Sequence, residues 1–164
     1  MIIEELDSIE ESISELSRLL VKVVDDGAAV GFLPPMELSQ SREYWETVSS
    51  PGVILFVAKI NNRIVGSVQL HLCTKPNGLH RAEIAKLITD PDFRRQGLGR
   101  ALMQKAKKRA LQEGRSLLVL DTREGDPSNI LYQSLGFIEA GRIPNFAKSA
   151  NGELHTTVLY YKTL

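Results

Sequence analysis

Apolar residues recur at helical spacing in four segments of the chain. The first segment runs from Ile9 to Val23, and Ser8 with Glu11 predicts a capping box that starts this helix at Ser8. Ser41 is the predicted N-cap of the second helix. The periodic segments therefore predict four helices, over residues 9–23, 42–48, 101–112 and 129–135.

Short apolar or alternating runs lie between these helices and predict strands. They cover residues 2–6, 53–58, 64–72, 80–89, 117–121, 137–146 and 154–163. The turn signals Asn61-Asn62 and Asn151-Gly152 join two pairs of these strands into hairpins. Because strands and helices do not alternate regularly, the order predicts a mixed α/β plan.

Length and composition favour one globular domain over residues 1–164, because a chain of this length can bury a real core. Lys plus Arg equals Asp plus Glu, at 20 each. This zero net charge argues against nucleic acid or an anionic membrane as the main partner. No segment has the length of a membrane-spanning helix, and the acidic start does not resemble a signal peptide.

The cysteine and histidine residues are few and scattered. Cys73 is the single cysteine and forms no internal disulfide, which favours a reducing cytoplasm. His71, His80 and His155 do not have the spacing of a metal site, so we predict no metal.

A Gly-rich turn, Arg94 to Arg100, lies between a predicted strand and a predicted helix. Such a turn directs free backbone N–H groups and the positive end of the helix dipole to one point, where anions such as pyrophosphate bind. Gly97 and Gly99 have no Cβ to block a ligand. On spacing alone, a surface loop whose glycines only turn the chain remains the alternative. The patterns G-x-x-x-x-G-K-[ST] and G-x-G-x-x-G are both absent.

The segment from Leu87 to Gly99 resembles the acetyl-CoA-binding motif of the GCN5-related N-acetyltransferases, the GNAT family. The likeness includes Pro91 between strand and turn and the pattern [QR]-x-x-G-x-[GA]; the segment from Leu131 to Phe137 resembles a second signature of the family. The resemblance implies a mixed, mostly antiparallel sheet of about seven strands, splayed between strands 4 and 5 and flanked by about four helices. Acetyl-CoA would lie in the gap.

The same resemblance implies which residues contact acetyl-CoA. In the family the turn wraps the pyrophosphate and a Tyr equivalent to Tyr132 lies beside the thiol sulfur. Many members have Asn seven residues before that Tyr, where this chain has Gly125; Asn129 is nearby but out of register. The predicted contacts are Leu87, Ile88, Thr89, Arg94, Arg95, Gln96, Gly97, Leu98, Gly99, Arg100, Asn129 and Tyr132.

Attack of an amine on a thioester needs a base, an oxyanion donor and an acid. Glu83 stands where family members often have a general-base Glu acting through water, although it could instead pair with Arg81 or Lys86. The backbone N–H of Leu87 is the predicted oxyanion donor if a family-type bulge frees it.

Two further side chains complete the predicted chemistry. Asp121 ends a predicted parallel strand and is expected to assist as base or to hold the acceptor amine, the alternative being a turn cap with Thr122. Tyr132 is the predicted acid that protonates the thiolate, and packing against Phe137 is its alternative role.

The acceptor side falls on the loop around Gly31-Phe32-Leu33-Pro34-Pro35 and the helix after it. Phe32 and Trp45 are predicted to wall the substrate cleft together with Glu83 and Asp121, although both aromatic rings could equally belong to the core. This loop, the segments 80–83 and 120–122, and the tail from Gly152 to Leu164 resemble the tabtoxin-resistance acetyltransferase subgroup. Members of that subgroup acetylate a small, amino-acid-like β-lactam toxin.

The resulting prediction is an acyltransferase that moves the acetyl group of acetyl-CoA to a primary amine of a small molecule, with an amino-acid-like toxin or antibiotic as one possibility. A protein or peptide N-acetyltransferase and a non-catalytic acetyl-CoA sensor remain as alternatives. The chain is expected to be cytoplasmic, to be a monomer or homodimer, and to have no nucleic-acid, membrane or metal partner.

Overall fold

A computed structural model describes all residues from 1 to 164 and contains seven strands and four α-helices. The strands are β1 (Ile2–Glu5), β2 (Val53–Ile60), β3 (Arg63–Leu72), β4 (Arg81–Thr89), β5 (Leu117–Arg123), β6 (Ile138–Lys148) and β7 (Leu154–Thr163). The helices are α1 (Ile13–Asp25), α2 (Leu38–Val48), α3 (Leu98–Gln112) and α4 (Ser128–Ser134). Single 3₁₀ turns, Pro76–Gly78 and Pro91–Phe93, precede and follow β4.

The strands form one sheet in the order β1-β2-β3-β4-β5-β7-β6. Every neighbouring pair is antiparallel except β4 and β5, which are parallel. The strand that follows β4 runs parallel to it because α3 returns the chain to the starting end of the sheet. These features confirm the predicted mixed, mostly antiparallel sheet of seven strands with four helices.

The two faces of the sheet have separate apolar cores. One face packs against α3 and α4, and its buried residues come from β2, β3, β4, β5 and β7. The opposite face packs against α1 and α2, and its strand residues come only from β2, β3 and β4. We call these the α3–α4 face and the α1–α2 face. No residue of β5, β6 or β7 belongs to the core under α1 and α2.

The two serines predicted to cap helices, Ser8 and Ser41, are not the N-caps of α1 and α2. The first helix begins at Ile13, because the N–H of Ser12 bonds to the carbonyl of Ile9 in a preceding turn. The hydroxyl of Ser8 accepts the N–H of Glu10 within that turn. The second helix begins at Leu38; Ser41 lies inside it and is fully buried, where its hydroxyl donates to the carbonyl of Ser17. A serine that bridges two helices looks like a cap in the sequence.

The predicted hairpin turns are confirmed. Asn61 and Asn62 both have positive φ, 50° and 61°, in the two-residue connection between β2 and β3. Asn151-Gly152 lies in the turn between β6 and β7. None of the four helices is both long and apolar enough to cross a bilayer.

Candidate active site

The parallel strands β4 and β5 pair over only three residues and then separate. The pairs are Arg81 with Leu117, Ala82 with Leu118 and Glu83 with Val119. Beyond them, β4 continues beside β3, and β5 continues beside β7. The six residues from Ile84 to Thr89 therefore border a gap in the middle of the sheet. This is the predicted splay between the fourth and fifth strands.

A bulge lies in β4 where it borders the gap. Gln69 pairs with Ala85 and Ser67 pairs with Ile88, so β4 has one residue more than β3 between these two pairs. Lys86 occupies the extra position in the left-handed region, with φ 53°. A bulge takes a peptide unit out of the regular ladder. The irregularity that was predicted to free the N–H of Leu87 is thus present one residue before it.

The Gly-rich turn carries unpaired backbone donors at the end of β4. The N–H groups of Arg95, Gln96 and Gly97 have no hydrogen-bond acceptor in the protein. Gly97 is the N-cap of α3 with φ 80° and provides no side chain to cap the first turn. The first N–H groups of α3 consequently lack intrahelical partners, and the positive end of the helix dipole faces the same point. A Cβ built on Gly97 has no atom within 4 Å, so the space in front of the turn is open.

Several side chains near this turn serve the structure. Arg94 pairs with Asp26 after α1, and Arg100 bonds to the hydroxyl of Ser134 at the end of α4. Leu98 is buried in the α3–α4 core. A Cβ on Gly99 would lie 3.1 Å from the side chain of Leu131, so this glycine allows α3 and α4 to approach closely. The predicted contacts of Leu98 and Gly99 with the cofactor can therefore come only from the backbone.

Polar side chains gather on the α1–α2 face where the pairing of β4 and β5 ends. Ala82 and Ile84 point into the opposite core, so Glu83 between them points to this face. Glu83 is exposed and forms no ion pair, contrary to the alternative of a pair with Arg81 or Lys86. His71 of β3 lies directly opposite Glu83. A free carboxylate and an imidazole thus share the edge of the gap.

Lys86 fastens the loop before α2 to the bulge. Its ammonium donates to the carbonyl of Val30 at 2.7 Å and lies 5.7 Å from the ring centre of Phe32 and 6.0 Å from that of Tyr44. Burial lowers the pKa of Lys86, and the negative charges of Asp121 and Glu83 partly oppose this. An ammonium has three donors, so those not bonded to Val30 remain available to a ligand.

Asp121 lies across the gap from β4. Leu118 and Leu120 point into the α3–α4 core, which turns Asp121 to the face that carries Glu83. Its carboxylate accepts a hydrogen bond from the Thr157 hydroxyl at 2.8 Å, so it does not cap a turn with Thr122. Asp121 therefore stays exposed at the gap.

Tyr132 of α4 approaches the gap from the α3–α4 face. Its ring is buried, with ring centres 6.0 Å from both Phe137 and Tyr160. The hydroxyl has no hydrogen-bond partner in the protein, although it is not sealed from solvent. Burial raises the pKa of Tyr132 far above its usual range, and the charge of Asp121 raises it further. The phenol consequently keeps its proton at neutral pH.

Two predicted site residues have structural roles instead. Trp45 is fully buried, and its indole N–H donates to the carbonyl of Leu16, so it ties α2 to α1 and does not wall a cleft. The amide of Asn129 donates to the carbonyls of Arg123 and Asp126, and its oxygen accepts from Tyr160. Its N–H groups are fully used within the turn before α4 and are not available to a cofactor.

Other residues of the gap were missed by the sequence analysis. Lys86 was considered only as an ion-pair partner, His71 only as lacking a metal spacing, and Gln69 not at all. The signal that could have found them is the polar residues at alternate positions of β3, Ser67, Gln69 and His71. Phe32 does lie beside the gap, half-buried and in edge contact with Tyr44.

A cavity of about 340 Å³ lies elsewhere, between α1 and the start of β3. Most of its charged groups have partners: Lys22 and Arg63 pair with Asp90, and Glu15 accepts the N–H of Ile64. Burial raises the pKa of Asp90, but hydrogen bonds from Lys22 and the N–H of Asp92, with the charge of Arg63, lower it below its usual value. This cavity is an ion-paired seam between helix and sheet, and it lacks the free base of the gap.

Comparison with known proteins connects this geometry to one family. The Acetyltransferase (GNAT) family matches residues 29–137, more than half of the chain. The [ribosomal protein bS18]-alanine N-acetyltransferase of Escherichia coli (strain K12) is 37% identical over 75 residues, which are 45% of this chain and 51% of that protein. The chain thus aligns with about half the length of this curated relative.

Solved structures share the fold at low identity. A ribosomal-protein-alanine N-acetyltransferase from Brucella melitensis superposes with a TM-score of 0.84 and 19% identity, over 100% of both chains. An aminoglycoside 6'-N-acetyltransferase complexed with coenzyme A gives a TM-score of 0.78 and 20% identity, over 99% of this chain and 97% of that one.

Proposed function

Because the chain belongs to the acetyltransferase (GNAT) family, we propose that it is an enzyme that transfers the acetyl group of acetyl-CoA to a primary amine. The observation that carries this proposal is the gap between β4 and β5. One end of the gap meets the uncapped turn before α3, and Glu83 and Asp121 lie near the other end, where the pairing of β4 and β5 stops. The turn suits the anionic part of a long cosubstrate, and the free carboxylates suit an amine.

The turn fits the pyrophosphate of the cosubstrate. The N–H groups of Arg95, Gln96 and Gly97 are without acceptors, and those of the first turn of α3 lie beside them. Backbone donors at a helix N-terminus are a common phosphate site. Arg95 and Arg100 add positive charge around it, and the backbone of Leu87, Ile88 and Thr89 would line the arm that leads into the gap.

Residues of the gap would then share the chemistry. Bound acetyl-CoA supplies the acetyl group as a thioester. Glu83 takes a proton from the acceptor ammonium, directly or through water, and Asp121 holds the amine. The N–H of Leu87 stabilises the oxyanion, and Tyr132 donates its proton to the departing sulfur. Base catalysis of this kind is worth roughly 10²–10⁴-fold.

A small, amino-acid-like amine is the acceptor that we propose. Lys86 holds the loop that carries Phe32 close to the gap, which narrows the entrance. Its remaining donors would bind the carboxylate of such a substrate, while Glu83 and Asp121 face the amine. The resemblance to the tabtoxin-resistance subgroup agrees with this substrate class. The toxin itself is one member of the class.

A polypeptide N-terminus is the second candidate acceptor. The face of β5, β7 and β6 next to Asp121 is uncovered, and Ile138 and Leu159 are 55% and 37% exposed there. The bS18 relative is named for an alanine of a protein. An extended chain could lie on this face with its terminal amine at the gap.

We also propose that residues 1–164 act as one domain, since a single sheet includes strands from both ends of the chain. The free Cys73 agrees with a cytoplasmic location. A monomer or homodimer without nucleic acid or membrane remains our expectation.

The test is release of the CoA thiol from acetyl-CoA by the purified protein with a panel of amines. The panel pairs each α-amino acid with its decarboxylated amine, and adds aminoglycosides and peptides with free N-termini. Preference for the carboxylate-bearing member, lost in Lys86→Met, supports the amino-acid-like acceptor. Turnover of peptides alone supports the second candidate. Binding of acetyl-CoA without turnover of any amine would leave a sensor and refute both.

A further inference from the structure

A chain of three hydrogen-bonding side chains leads to the base. Tyr44 of α2 bonds to the amide of Gln69 at 2.8 Å, and Gln69 bonds to Nε2 of His71 at 2.8 Å. Gln69 is 1% exposed, so these bonds form away from bulk water. His71 in turn lies directly opposite Glu83 on the same face of the sheet. Side chains directly opposite in an antiparallel pair have Cβ atoms about 4.5–5.5 Å apart.

With the amide of Gln69 in this orientation, its bonds specify which nitrogen of His71 has the proton. The amide nitrogen of Gln69 donates to the Tyr44 hydroxyl, so the amide oxygen faces His71. A carbonyl oxygen only accepts, and therefore Nε2 of His71 donates. In the neutral ring the other nitrogen, Nδ1, then has its lone pair free.

The charged groups around His71 are few. From β4 it faces Glu83 and Lys86, with Arg81 further along the same face; from α2 the Tyr44 hydroxyl ends the hydrogen-bonded chain; from β2 its opposite neighbour is the apolar Val53. Burial lowers the pKa of His71, Glu83 opposes this, and Lys86 adds to it. The ring is therefore neutral near pH 7.

We propose that His71 is a proton relay that acts through Glu83 in the proposed acetyl transfer. An N–H bond of the acceptor ammonium breaks as an O–H bond forms on Glu83. Because Glu83 and His71 are not in direct hydrogen-bond contact, one water molecule carries the proton between them. The Glu83 O–H bond breaks as this water gains that proton and gives one of its own to Nδ1 of His71, which restores the carboxylate beside the neutral amine. The imidazolium is stabilised by the carboxylate of Glu83 and by the oxygen of Gln69, and this half-buried ring releases its proton to solvent.

The relay gives Glu83 a function that a lone carboxylate fulfils poorly. Glu83 is exposed and has no ion pair, and His71 is its neighbour across the strand pair. An imidazole ordinarily has a pKa of about 6.5, and a base whose pKa is near the working pH transfers protons most efficiently. The base of the site is thus a pair of side chains, Glu83 and His71.

His71→Gln tests the relay, because a glutamine amide can keep the bond to Gln69 and cannot take up a proton. We expect kcat to fall on the order of 10-fold near pH 7 with the KM for acetyl-CoA unchanged, and the acidic limb of the pH–rate profile to move. His80→Gln, on an exposed residue outside the gap, is the matched control and should match the parent.

The double variant Glu83→Gln/His71→Gln distinguishes a relay from two independent roles. Residues that act in sequence give non-additive losses, so the double variant should be no slower than Glu83→Gln alone. Losses that multiply, or a His71→Gln rate equal to that of the parent, would overturn the relay.

Nitrogen-15 NMR of the imidazole rings gives a readout that does not need turnover. At a pH where the ring is neutral, His71 should show the Nε2–H tautomer, and Glu83→Gln should lower its pKa because a neighbouring negative charge is removed. His71→Gln identifies the resonance by its loss. An Nδ1–H tautomer, or a pKa that Glu83→Gln does not move, would refute the relay. Absence of thiol release from the parent protein would instead refute the proposed function.

Discussion

The two halves of the sheet are covered differently. Strands β2, β3 and β4 have core residues under α1 and α2 on one face and under α3 and α4 on the other. Strands β5 and β7 have core residues only on the α3–α4 face, and β6 has none in either core. Leu55 of β2 is 7% exposed on the α1–α2 face, and Leu159 of β7 is 37% exposed on the corresponding face of the second half. Charged groups would be expensive to desolvate in the covered half.

At the boundary between the halves, packed neighbours can hold polar side chains in place while a substrate can still reach them. Glu83 and Asp121 lie on either side of the gap, Lys86 lies in the bulge, and the unpaired N–H groups begin where β4 ends. The covered half fixes the positions of these groups, and the missing cover of the other half leaves them open to a substrate.

Gly97→Glu should abolish acetyl-CoA binding in a folded protein. A carboxylate about 4 Å from a pyrophosphate charge costs about 4 kcal/mol at an effective dielectric constant of 20, or about 10³-fold in Kd. Gly114→Glu is the matched control, because Gly114 also has positive φ, 72°, and open space, but lies after the other end of α3. Calorimetry that found equal affinities for the two variants would exclude the turn as the anion site.

Tyr132→Phe should slow turnover by roughly 10–10³-fold while the affinity for acetyl-CoA and the free energy of unfolding stay nearly unchanged. Stability is spared because the Tyr132 hydroxyl has no partner in the protein. Tyr160→Phe, on the ring beside it, loses the bond to Asn129 and should cost about 0.5–1.5 kcal/mol of stability without a loss of rate.

The pH profile of Tyr132→Phe is also informative. The raised pKa of Tyr132 keeps the phenol protonated, so a fall in rate at mildly basic pH must come from another group and should persist in the variant. A Tyr132→Phe rate within twofold of the parent would leave Tyr132 as a packing residue of the thiol pocket.

Leu159→Ala should change the free energy of unfolding by less than about 0.5 kcal/mol, since its side chain lies on the uncovered face. Leu55→Ala removes the same atoms from beneath α1 and α2 and should cost about 2–4 kcal/mol. Urea unfolding of both variants measures the difference. Equal losses would mean that the second half of the sheet is covered in solution, for example by a second copy of the chain.

Local sequence patterns predicted the elements that form this division. The apolar run of β2, the Asn61-Asn62 turn and the helical spacing after Gly97 each depend only on residues close together in the sequence, so they can be read from the sequence itself. The position of the gap came from family resemblance. Physically, the separation of β4 and β5 depends on where α3 returns the chain, which no short segment specifies.

The misread residues share another cause. Ser41 and Trp45 have polar atoms that bond to backbone carbonyls of α1, and Asn129 bonds to carbonyls around its own turn. A polar or aromatic group in a sequence does not reveal whether its partner is backbone or ligand. Lys86 and His71 were missed for the reverse reason, because the bulge and the strand register that bring them to Glu83 are tertiary features.

Amide NMR during titration with acetyl-CoA tests most directly whether the gap is the active site. We expect the largest shifts at the N–H groups of Arg95 to Arg100, at Leu87 to Thr89 in β4, and near Asp121 in β5. Shifts centred instead on the cavity formed by Glu15, Lys22, Arg63 and Asp90, with the turn before α3 unmoved, would contradict it.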